Sequence, residues 1–266
     1  MKRFFSMLIA TLFVAVAQAQ LYVPGETLRY KMSYKAKFFP NTEGANVIIQ
    51  TTETTLDGMP VYKVYGMGQT SRAFNWILAV KDAYTVWVDP ATLRTKRFDT
   101  DIKEGDYTFK STYIFDWHNH KVHTRWHKRT NPESFKTMDI SDQSMDAVSL
   151  YFNLRTVKDE EIKEGYAKEL EMVLEDTVRF LRFRFDGREV KKIKNLGRFN
   201  TLKFRCQIAT SDGFSFTDGT EFEVWISDDR NKIPLYIKSP IRVGSINAYL
   251  SSFEGLRYPL DCKVDR

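Results

Sequence analysis

Four histidines, several carboxylates, two cysteines and one basic stretch are the residues of this chain with chemistry to offer. His118, His120, His123 and His127 all fall within residues 117–127, beside Asp116, which is the composition of a metal site. The spacing argues against one. Four residues along a strand cover about 13 Å, so His123 and His127 cannot share a zinc whose ligands sit at about 2 Å. His118 and His120 fall at a turn, and no CxxC or HExxH motif reinforces the signal. Nucleophilic catalysis lacks a G-x-S-x-G elbow or an activated Ser or Cys. Asp228-Asp229 and Glu160-Glu161 are adjacent carboxylates, but Asp228-Asp229-Arg230-Asn231 reads as a turn between strands. No glycine loop suited to phosphate appears. The expectation is therefore no enzyme, no metal and no cofactor.

What remains is binding chemistry. Arg182, Lys191, Lys192 and Lys194 form a basic cluster that an anion could neutralise. Gly213 and Gly219 bracket Phe214 and Phe216 in a hairpin end, where two aromatics either face a partner or fold back on the sheet. With 40 Lys+Arg against 34 Asp+Glu and a pI near 9.1, nucleic acid is one reading of the charge.

The N-terminus turns that reading aside. Lys2 and Arg3 precede an apolar run from Met7 to Val16, and Ala17-Gln18-Ala19 supplies a small-x-small cleavage pattern. Residues 1–19 thus read as a signal peptide, and the apolar run is short for a membrane span. Removing 19 of the 266 residues leaves 247, and two positive charges go with the leader, leaving +4 of the +6. The chain is expected to be exported, periplasmic or extracellular, and not membrane-spanning. Its anionic partners would then be envelope lipid or acidic glycan rather than nucleic acid. Export also opens two states for Cys206 and Cys262: a disulfide, or a buried Cys206 and a free Cys262.

The elements that position these residues read as strands. Aromatics make up 14% of the chain, and aromatic side chains suit a pleated surface. Strands are predicted at 28–37, 45–56, 60–68, 84–88, 94–99, 106–116, 121–128, 170–185, 188–195, 201–210, 220–227, 233–239 and 244–253. With no repeat or Pro/Gly/Ser linker between them, residues 20–266 read as one all-β domain, an antiparallel meander forming a closed or half-open barrel. A two-residue turn at Asn119-His120 predicts one hairpin. It sets Tyr113, Phe115, Trp117, Val122, Thr124 and Trp126 against an opposite polar face. A second hairpin is predicted at Asp186-Gly187, pairing Arg184 with Glu189 and Arg182 with Lys191. Two short helices interrupt the strands, 72–80 capped by Ser71 and 145–155 capped by Asp142 or Ser144. Residues 157–168 read as an exposed connection.

Several stretches, taken in order, resemble a bacterial exported family, the domain-of-unknown-function family 3108. They are residues 25–30, opening Gly25-Glu26-Thr27; residues 146–155, from Asp146 to Arg155; and residues 195–203, around Gly197, Phe199 and Thr201. Residues 223–229 with Ile233-Pro234-Leu235, then Val243-Gly244-Ser245-Ile246 and Leu250, complete the pattern. The resemblance implies an antiparallel barrel-like fold in the bacterial envelope and supplies no reaction. The leading expectation is an exported, non-enzymatic protein that binds an amphipathic or anionic envelope ligand. The alternative is a structural or assembly protein that docks another envelope protein.

Overall fold

The computed structural model describes residues 21–36, 39–76, 79–208, 221–240 and 244–264. Its backbone starts in the middle of a sheet and works outward. Strand β1 (Thr27–Ala36) pairs with β2 (Phe39–Leu56). From there β3 (Met59–Thr70), β4 (Val80–Val88), β5 (Thr95–Glu104), β6 (Tyr107–Asp116), β7 (Lys121–Lys128) and β8 (Ser134–Asp139) follow as sequential antiparallel neighbours. The chain then crosses to the far edge through β9 (Ser144–Met145), helix α1 (Ala147–Asn153) and β10 (Ala167–Val173). It returns toward the centre through β11 (Val178–Ile193), β12 (Gly197–Ile208), β13 (Glu221–Ser227) and β14 (Pro234–Pro240). Finally β15 (Ser245–Glu254) lies against β1, and β16 (Lys263–Val264) pairs with β12. Apart from the short parallel contact of β9 with β10, every pairing is antiparallel.

The sheet does not close, but it curls until its ends approach. Thr124 on β7 donates to the carbonyl of Glu175 at 2.6 Å, and Lys136 on β8 reaches the carbonyl of Asp176 at 2.7 Å. Val122 and Met138 share a core cluster with Val173. Of the closed and half-open barrels expected from the strand pattern, the architecture is the half-open one. Inside it, α1 separates two apolar clusters. Phe152 packs with Val64, Val86 and Phe115 of the first half-sheet, while Leu154 packs with Leu181, Phe204 and Val224 of the second.

Several local expectations change. The β6–β7 hairpin turns over four residues, since Asp116 pairs with Lys121 and Phe115 with Val122. The Asp116 carboxylate holds this turn by accepting from the Asn119 amide groups. A register change of two leaves the face assignment intact, and Tyr113, Phe115, Val122 and Thr124 are buried.

No hairpin forms at Asp186-Gly187. Strand β11 runs straight through it, and the register slips between Phe185 and Gly187, leaving Asp186 as the extra residue of a bulge. Gly187, at φ +124°, supplies the backbone freedom the bulge needs, and Lys203 and Arg205 hold the Asp186 carboxylate at 3.0 Å. The strong turn dipeptide is thus consumed by a bulge. The real turns lie at 174–177 and 194–196, and Arg182 faces Glu169 and Gln207 instead of Lys191.

The helix predicted over 72–80 is a 3-10 turn, Arg72–Phe74, which Ser71 does not cap through its side chain. The helix predicted over 145–155 shortens to α1 and a following 3-10 turn, Leu154–Thr156, and its cap is Asp146. Strand β8 was not anticipated. Residues 157–168 are not wholly exposed, because Val157 and Ile162 are buried in the second cluster.

Both cysteines are buried and free. The Cys262 carbonyl accepts from the Asn200 amide, and Cys206 lies six residues further along the same strand. Six residues of strand span about 20 Å, against about 7 Å at most between bridged Cα atoms. Of the two states open to the cysteines, the disulfide is therefore excluded by position. Two thiols are expected to titrate after denaturation and none in the native protein; a denatured count below two would contradict this placement.

Candidate functional site

Helix α1 is held at three points. At its start, the buried Asp146 carboxylate accepts from the amides of Val148 and Ser149 at 2.8 and 2.9 Å, and from the Thr95 hydroxyl. On its flank, the hydroxyls of Tyr151 and Tyr30 lie 2.6 Å apart, and Tyr30 donates to the Pro234 carbonyl at 2.9 Å. Beyond its end, Arg155 forms a two-pronged pair with Glu26 at 2.7 and 2.8 Å, and donates to the Asn231 carbonyl at 3.1 Å. These side chains are only 6% and 2% exposed, so the ion pair is internal.

Burial lifts the Asp146 carboxyl above its ordinary range, although its hydrogen-bond donors work the other way. A carboxyl raised in the folded state adds stability in acid that is lost as pH rises from its unfolded value through its folded one. Asp146→Asn keeps an accepting oxygen without the charge. Its stability relative to the native chain is expected to improve between pH 4 and pH 7 in paired urea titrations. A constant difference across that range would refute the assignment. Asp146→Ala, which also removes the cap, is expected to cost about 1–2 kcal/mol.

With α1 so anchored, its residues Ala147, Leu150 and Tyr151, followed by Leu154, fall on one helical stripe facing the second half-sheet. Between that stripe and Phe183, Cys206 and Val224 lies an apolar cleft of about 170 Å³. The space exists because Ala147 and Cys206 are small where their neighbours are large. The Cys206 thiol is pushed up by burial, so it lines the cleft as an apolar group and not as a nucleophile.

The sequence-predicted cluster does not assemble into one site. Arg182 is engaged by Glu169. Lys191 lies 3.5 Å from the ring centre of Trp225 and 4.5 Å from that of Tyr236, and burial lowers its ammonium. Lys194 is paired with Glu43. Lys192 alternates to the opposite face of β11 from Lys191 and is exposed. Phe214 and Phe216 lie outside the described residues. The histidines are exposed, His123 bonding Thr137 at 2.9 Å, and among the described residues no three ligating groups cluster.

Sequence reasoning missed the cleft and both buried anchors. Asp146 carried a readable signal, an Asx residue directly before an apolar run. Glu26 and Arg155 stand in two stretches that resemble the family, but across 129 positions nothing in the sequence pairs them.

The fold and the cleft define a class: half-open antiparallel β-barrels wound about a short internal helix. The chain belongs to the DUF3108 family, described as a protein of unknown function, whose profile matches residues 29–251. The structure is similar to a beta-barrel-like protein of domain of unknown function DUF1849 from Brucella abortus. The two share 9% identity, with a TM-score of 0.55 over 88% of this chain and 98% of that one. A DUF1329 family protein from Desulfovibrio piger aligns with 8% identity and a TM-score of 0.24, over 88% of this chain and 86% of its own, too slight a likeness to bear on the fold. No curated protein matches the sequence. Among the described residues no helix is long and apolar enough to cross a membrane.

Proposed function

We propose that the protein is an exported, non-enzymatic binding protein whose cleft takes the apolar part of a small amphipathic envelope ligand. The observation that carries this is the lining: Leu150, Leu154, Phe183, Cys206 and Val224 enclose apolar space that the core leaves unfilled. A dry cavity of roughly this size admits a benzene-sized guest. The occupant is thus a short alkyl or aromatic group, its polar end left outside. The dispersal of Lys191, Lys192 and Lys194 moves the weight from an anionic head group to this apolar contact.

Titration calorimetry with hexanoate, alongside native mass spectrometry of untreated and lipid-extracted protein, tests the reading. Saturable hexanoate binding is expected. Cys206→Leu, which fills the cleft, is expected to weaken it at least tenfold while leaving the circular dichroism unchanged. Absence of binding, or equal binding by Cys206→Leu, would overturn it. The assembly reading has its own support in the edge strand β8, where Phe135 stands 68% exposed. A specific protein crosslink at Phe135 that persists in lipid-extracted material would favour that reading.

A further inference from the structure

The other face of the same strands carries a groove of about 390 Å³ that the cleft does not use. Register builds it. Ala167, Arg184 and Arg205 are directly paired across β10, β11 and β12, and Glu169, Arg182, Gln207 and Glu221 form the next row. The methyl group of Ala167 leaves the space open beside Arg184. Arg205 is paired with Asp186 at 3.0 Å, and Arg182 with Glu169. Arg184 is exposed, makes no ion pair among the described residues, and stands opposite another arginine. Like charges directly opposed destabilise a ladder unless something neutralises them. On this same face of β11, two residues from Arg182 and four from Arg184, Phe180 is 45% exposed.

Three recognition elements therefore share one surface. Arg184 offers an unengaged fork for a planar carboxylate. Glu169 and Glu221, paired with Arg182 and Arg205, each keep a second carboxylate oxygen that can accept from a hydroxyl group, and the Phe180 ring offers a platform for the apolar face of a sugar. We propose that this groove binds an acidic saccharide, with Arg184 holding the carboxylate of the sugar ring. The site lies across the sheet from the cleft and does not depend on it.

The test is a calorimetric titration of the full chain with trigalacturonate, maltotriose and inorganic phosphate. Trigalacturonate is expected to bind at least tenfold more tightly than maltotriose. Arg184→Ala is expected to lose at least tenfold, and Phe180→Ala to lose affinity as well. Lys192→Ala, on the opposite face of β11, and Cys206→Leu are expected to bind as the native chain does. Equal binding of maltotriose would refute carboxylate recognition, and equally tight phosphate would refute a saccharide. No binding of trigalacturonate, or an unchanged Arg184→Ala, would overturn the proposal outright. Because Cys206→Leu blocks only the cleft, failure here and failure of the cleft reading are separately visible.

Discussion

Arg155→Met is expected to destabilise the fold by about 3–5 kcal/mol, because it strands the Glu26 carboxylate inside the protein without its cation. The two-pronged pair with Glu26 satisfies both carboxylate oxygens, and the third bond from Arg155 occupies the Asn231 carbonyl. The guanidinium also lies 5.5 Å from the ring centre of Phe152. Losing it therefore exposes an uncompensated charge, an unpaired carbonyl and one face of a core aromatic at once. Both charges have already been removed from water, so the pair itself contributes less than its rupture costs. The double variant Glu26→Gln/Arg155→Met should recover part of the loss, since no isolated charge remains. Urea denaturation of the two single variants and the double variant measures this coupling. A double variant as unstable as the sum of the singles would show that the ion pair does not act as a unit.

Phe183→Ala is the second large effect, expected at about 3–5 kcal/mol for a fully buried aromatic. Phe183 packs edge-on against Phe204 with ring centres 5.8 Å apart, and it forms part of the cleft wall. Truncating it both removes contacts and enlarges the apolar space. The variant is therefore expected to be destabilised and yet to gain more from an apolar guest than the native chain does. Thermal unfolding of both proteins with and without saturating toluene checks this, with a larger upward shift in Tm expected for Phe183→Ala. Equal shifts would mean that the cleft and the Phe183 side chain do not share one space.

The β-meander was legible because aromatic and β-branched segments alternate between turn residues all along the chain. The β6–β7 hairpin shows how far such reasoning reaches. Its faces were recoverable from period-two alternation even though the turn length was not, because a shift of two preserves every side-chain direction. Asp186-Gly187 shows where it stops. The same dipeptide suits a tight turn and a bulge, and the choice was made by Lys203 and Arg205 on the neighbouring strand. The basic cluster failed for a related reason. Sequence proximity put Lys191, Lys192 and Lys194 together, whereas alternation and the partners Trp225 and Glu43 take them apart. The cleft is a property of where α1 rests, and that depends on contacts such as Tyr151 with Tyr30 across 121 positions.

The placement of β1 at the centre of the sheet has a consequence for how the chain is made. Strand β1 emerges early and can pair with β2 at once, but its other neighbour, β15, is the last long strand to be synthesised. Apart from β15 and the strands at the sheet's two ends, every other long strand finds both partners within its own half. A nascent chain therefore carries an open strand edge through most of its production, and open edges are where chains recruit one another. A product cut short before Ser245 would keep that edge for good. The join between Thr27 and Glu254 thus acts as a check on synthesis, since only a chain that extends through β15 can bury the open edge of β1.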